Sequence, residues 1–181
     1  MSPGATVGAD DSVRLFLALE VPDDVSQQLR AWGEHHLDHG RRVDTYHVTL
    51  AFLGRQPRAV VDPVADVMRH EAAAIEPFQL AIARYRETRS VGMLVLDDPS
   101  GRASTLATRI HVGLEEIGAY ERERRPWLPH LTVLRFRERP RLAPPLPEIA
   151  AFAPSGVAAL LSRLHRTGAR YEVLQWCPLG G

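Results

Sequence analysis

His47-Val48-Thr49-Leu50-Ala51-Phe52-Leu53-Gly54 reads as a β-strand closed by a glycine, and its opening four residues return in kind as His130-Leu131-Thr132-Val133. In extended backbone successive side chains alternate faces, so each histidine shares a face with the threonine two residues on. Val48, Leu50 and Phe52 are expected on the opposite face. Each copy therefore offers one titratable ring and one hydroxyl on an otherwise apolar strand. If two such strands meet across a cleft, they hold two imidazoles and two hydroxyls, the minimum set for acid and base catalysis on a phosphate ester.

Working outward, Val13 to Leu19 reads as a strand stopped by Pro22, and a helix is expected to follow to about Leu37, with Val25, Leu29 and Trp32 on one face. A second helix is expected from about Ala59 to Ile75, with Pro63 confined to its first turn. Phe78 to Tyr85 and Val91 to Leu96 read as strands, and Leu106, Ile110, Leu114 and Ile117 mark a third helix from about Ser104, with Gly118 as its stop. After the second motif, a proline-rich loop from Pro140 to Pro154 leads to a hairpin of Gly156 to Leu164 and Arg170 to Trp176, turning near Thr167-Gly168. This order predicts an α+β fold of two similar lobes, each a mainly antiparallel sheet backed by helices, with the motif strands lining a central cleft. Residues 1–12 are expected to form a flexible tail and residues 13–181 a single bilobal domain.

Composition narrows the function. With 181 residues, 45% hydrophobic and 24% charged, the chain has ordinary globular proportions and enough length for a real core. No apolar run approaches the roughly 20 residues of a membrane span, and the N-terminus lacks the pattern of a signal peptide; a cytoplasmic protein is expected. All 22 basic residues are arginine. A phosphate-loop lysine, a Schiff-base lysine and a lysine nucleophile for adenylate are thereby excluded. The 22 acidic residues bring the formal charge to zero, which suits a small ligand or a strand terminus better than a long track on duplex nucleic acid. Cys177 alone excludes an internal disulfide and a multi-thiolate zinc site. His35 and His39 are spaced for a metal, but the glutamate that a zinc-protease helix places beside its first histidine is replaced by His36 and no third ligand is evident, so a solvated helix end is the better account.

Together these stretches resemble the two-histidine phosphoesterases, the family of RNA 2',3'-cyclic phosphodiesterases and bacterial 2'-5' RNA ligases. The likeness runs from Arg14-Leu15-Phe16-Leu17-Ala18-Leu19, through His47 to Gly54 and Pro129 to Arg135, to Gly168-Ala169-Arg170-Tyr171. It implies a two-lobed α+β fold with a central cleft, and a hydrolytic reaction needing neither a metal nor a nucleotide cofactor. It makes His47 and His130 the catalytic pair, with His130 as base and His47 as acid in hydrolysis; the residues themselves leave that order open. Thr49 and Thr132 would hold phosphate oxygens, Arg135 would contact the phosphate, and Phe16 matches an aromatic near the base. Strict alternation aims Arg135 away from His130, so a bulge or the strand's end has to turn it back. The chain departs from the family in lacking a tryptophan between Gly40 and Tyr46.

The expected partners are RNA 2',3'-cyclic phosphate termini or small cyclic nucleotides, with the chain acting as a monomer without a protein partner or a membrane. The cyclic phosphate would be opened to a 2'-phosphate, with ATP-independent 2'-5' ligation as a minor reverse activity. The alternatives are a phosphodiesterase for 2'-5' oligonucleotides or an ADP-ribose cyclic phosphate, and a module that binds RNA ends without turning them over. Against the last, tight phosphate binding alone favours more arginine rather than two groups that titrate near neutrality.

Overall fold

A computed structural model of the chain describes residues 12–165 and 168–180. Along them run β1 (Ser12–Glu20), α1 (Asp23–His36), β2 (Arg41–Arg42), β3 (His47–Pro57), α2 (Val61–Ala73), β4 (Ala81–Glu87), β5 (Val91–Asp97), α3 (Arg102–Glu116), β6 (His130–Arg135), β7 (Val157–His165) and β8 (Gly168–Cys177). The strands pair antiparallel in the order β4-β5-β6-β3-β1-β7-β8, with β2 on β6. Two four-stranded halves, β3-β1-β7-β8 and β4-β5-β6-β2, are joined through the single pair Val48↔Leu131. This is the expected α+β arrangement, and its seam runs between the two motif strands. Residues 1–11 and Thr167, parts of the expected tail and hairpin turn, lie outside the described residues. No helix among the described residues is long and apolar enough to cross a membrane.

Local chemistry places the helices near their expected ends. Asp23 and Asp24 sit in the first turn of α1, favourably toward the positive end of its dipole. Val25, Leu29 and Trp32 are buried, and the Trp32 indole donates to the Pro145 carbonyl at 2.9 Å, tying the proline-rich loop to α1. The expected helix from Ala59 is a 3-10 turn at Arg58–Val60 that passes into α2, with Pro63 in the first turn. At α3 the Asp98 carboxylate accepts from the Ser104 backbone N–H and hydroxyl at 2.8 and 2.9 Å, satisfying an end that its glycine cap leaves open.

Two strand expectations shift. The strand expected from Phe78 begins at Ala81, the partner of Asp97 at the end of β5; Leu80 pairs instead with Phe152 from the loop before β7. The strand expected to stop at Gly54 runs on to Pro57, because Gly54 takes φ +70° and absorbs an irregularity without a break.

The larger correction concerns which way Phe52 points. Between β1 and β3 the register slips after Leu17 and again after Leu15, leaving Leu50 and Leu53 as extra residues on β3. Leu50 and Ala51 are consequently both buried, at 2% exposure, and Phe52 lies directly opposite Phe16 at 45%. The bulge thus moves Phe52 off the face it was expected to share with Val48. The main core lies on the other side, with Leu15, Leu17, Leu19, Val48 and Leu131 packed toward the helices; Phe16, Ala18, Ala158 and Leu160 form a smaller cluster on the cleft side.

Candidate active site

The antiparallel pair Val48↔Leu131 fixes the placement of the two motifs. Val48 and Leu131 are buried in the core, while His47, Thr49, His130 and Thr132 are all half-buried on the other face. Continuing the register by one residue in each direction sets His47 opposite Thr132 and Thr49 opposite His130. The two His-x-Thr units are therefore related by an approximate twofold through the seam, each histidine beside the other unit's threonine.

Arg135 joins this group through a bulge. Along β5 and β6 the register slips between Gly92 and Met93, leaving Val133 as the extra residue on β6. Val133 and Leu134 are both buried, which returns Arg135 to the face of His130 and Thr132. Its charge reaches His47.

The surroundings of the two rings differ. Phe16 lies 5.1 Å from His47 at a tilt of 43°, and Tyr171 meets the same ring edge-on at 5.1 Å and 83°. Tyr171 and Phe16 are also in contact, at 5.2 Å, so the three rings form a closed triangle. Phe16 is only 3% exposed, packed against Ala18, Ala158 and Leu160 as well as these rings. Burial first, then the charges of Arg135 and His130, push His47 down from 6.5 to about 4. It stands neutral in the unliganded protein at pH 7. His130 lies with Nδ1 2.8 Å from the Leu128 carbonyl. Because a carbonyl only accepts, Nδ1 carries the proton and Nε2 is the basic nitrogen of the neutral ring.

Two residues that sequence reasoning did not single out support β3. The Trp127 indole donates to the Thr49 carbonyl at 2.9 Å, and buried His111 of α3 holds Nε2 2.7 Å from the carbonyl of Leu50, the bulged residue. Their signals were Pro126-Trp127-Leu128-Pro129 just ahead of the second motif, and a histidine on the apolar face of α3. The His35 and His39 rings have local partners, the Ala31 carbonyl and the Asp38 carboxylate.

Residues 21–167 match the profile of the 2'-5' RNA ligase superfamily. The chain belongs to that superfamily. Like this two-histidine phosphoesterase, the RNA 2',3'-cyclic phosphodiesterase of Escherichia coli K12 is a relative, 26% identical over 172 residues that cover 90% of this chain and 94% of that one. TT0787 of Thermus thermophilus superimposes with a TM-score of 0.79 at 25% identity, over 93% of this chain and 98% of that one. E. coli LigT, solved with 3'-AMP, shares the fold at a TM-score of 0.78 and 24% identity, over 94% and 99% of the two chains. The superfamily match spans both motif strands and the helices between them.

Proposed function

We propose that this superfamily member is an RNA 2',3'-cyclic phosphodiesterase that opens the cyclic ester to a 2'-phosphate by metal-independent acid and base catalysis from His47 and His130. The observation that carries the reading is the antiparallel pairing of the two His-x-Thr units at the seam, which sets two imidazoles and two hydroxyls around one place. Water attacks phosphorus while one histidine accepts its proton; the phosphorus–O3' bond breaks and the other histidine protonates O3'. Negative charge growing on the equatorial oxygens receives hydrogen bonds from the Thr49 and Thr132 hydroxyls and the Arg135 fork. With a ribose 5'-hydroxyl in place of water, the same ring opening forms a 2'-5' link without ATP.

In hydrolysis His130 is the base and His47 the acid, as the family resemblance implies. A neutral His47 has to gain a proton to act, and the substrate can supply the driving force. Charging the ring at pH 7 costs about 4 kcal/mol in the unliganded site. A phosphate anion about 4 Å away contributes roughly 4 kcal/mol at an effective dielectric of about 20. Substrate binding therefore offsets the penalty, and the acid can be loaded when there is something to protonate. We also read the bilobal chain as one working unit, acting as a cytoplasmic monomer at RNA termini.

The test is hydrolysis of a nucleoside 2',3'-cyclic phosphate by His47→Ala and His130→Ala variants with unchanged circular dichroism. Each is expected to lose on the order of 10² to 10⁴-fold in kcat; full activity in either overturns the proposal. A panel adding 2'-5' oligonucleotides and an ADP-ribose cyclic phosphate, with product identification, fixes the substrate class.

A further inference from the structure

The bulge that turns Phe52 outward leaves a large aromatic 45% exposed on the cleft face, beyond the histidines. Next to it on that face, Arg14 and Arg55 stand directly opposite one another across β1 and β3. Like charges in that position repel. Arg55 donates to the Ser12 hydroxyl at 3.3 Å, and the Arg14 guanidinium lies 5.0 Å over the Phe52 ring. Among the described residues Arg14 makes no ion pair. Alongside Phe52 opens a recess of about 380 Å³, walled by Tyr120, Gln56, Glu121 and the backbone of Gly118 and Ala119. The Gln56 amide N–H groups are taken by the Leu53 and Ala119 carbonyls, so its remaining polar atom is an acceptor, as is the Glu121 carboxylate.

We propose that this surface is a subsite for an upstream nucleotide of single-stranded RNA, with its base stacked on Phe52 in the recess and a backbone phosphate against Arg14 and Arg55. An exposed aromatic flanked by cations is the combination that holds single strands, since every base has a face to stack and every linkage a charge. The recess is of the size that holds small ligands. Its acceptors suit a base edge carrying N–H donors, guanine best, because one carboxylate can take two adjacent donors. From Ala18, the partner of Thr49, to Arg14 is four residues of β1, about 13 Å. That separation suits a strand leaving the histidines along β3 with an upstream phosphate at the arginine pair. The inference rests on the reading of RNA ends as substrate and narrows it to oligonucleotides.

The experiment compares kcat/KM for a mononucleotide and a trinucleotide, both ending in a 2',3'-cyclic phosphate. The trinucleotide is expected to be the better substrate by about 10-fold or more. Phe52→Ala and Arg14→Ala should each lower the trinucleotide value by about 10-fold and leave the mononucleotide value unchanged, while Phe52→Trp restores it. Equal losses on both substrates, or no loss on either, overturn the subsite. If the wild-type protein hydrolyses neither, the cyclic phosphodiesterase reading fails instead. Calorimetric binding of a trinucleotide with a 2'-phosphate end then still decides the subsite: weaker binding by Phe52→Ala supports it, and unchanged or absent binding overturns it.

Discussion

His47 should titrate far below an ordinary histidine, and the triangle of rings gives the reason. Lowering the ring from 6.5 to about 4 makes its protonation about 3 kcal/mol harder than in the unfolded chain. Between pH 6.5 and about 4 the unfolded chain binds this proton and the folded protein does not, so stability falls as pH drops through that window. The contribution is fully present above pH 6.5 and gone below about 4. Tyr171→Ala opens one side of the triangle, which lets water reach the ring and is expected to raise His47 toward 6.5. Inorganic phosphate should raise it as well, with uptake of a proton on binding. Ring-proton NMR titrations of the wild type, Tyr171→Ala and the phosphate complex measure all three, with His47→Ala assigning the signal. A wild-type His47 that titrates near 6.5, or one that phosphate leaves unmoved, refutes the argument that substrate loads the acid.

Other substitutions probe the scaffold behind the site. His111→Leu leaves the Leu50 carbonyl without its donor, and thermal unfolding should register a loss of about 1–3 kcal/mol; His111→Gln, which keeps a donor, should lose less. Gly156→Ala would set a methyl 2.6 Å from the Cys177 carbonyl oxygen and 2.7 Å from the Trp176 ring; a destabilisation of about 1–3 kcal/mol is expected, with a change in tryptophan fluorescence as the indole moves. Glu87 accepts from Tyr85, Arg139 and the backbone N–H groups of Arg141 and Leu142 at 2.8–3.1 Å. Burial raises its carboxyl, but these four bonds together outweigh it and hold the group below the usual carboxylate range. Its stabilisation is therefore present at neutral pH and lost only as pH falls through that lowered value. Glu87→Gln should speed tryptic cleavage after Arg141.

The strand and helix order, the α+β class and the residues that meet at the seam could all be read from the chain, because periodicity and a repeated motif are local signals. The bulges could not. Leu50, Leu53 and Val133 are apolar residues inserted into apolar strands, so an extra one leaves the pattern looking intact while every later side chain changes face. That is why Phe52 was expected in the core, and why Arg135 could be placed with His130 only by invoking a bulge of unknown position. Nor does anything local mark Arg41–Arg42 as a strand; β2 exists through its pairing with Arg135 and Leu134. Nothing local shows that Tyr171, on the far hairpin, meets His47; that contact exists only in the folded sheet.

The lone bridge between Val48 and Leu131 also has a mechanical meaning. It works like the spine of a book whose pages are the two half-sheets. Turning the pages displaces each atom in proportion to its distance from the spine, so the imidazoles beside it would hardly shift while the outer margins swing widely. The reacting groups thus sit where any relative motion of the two half-sheets is smallest.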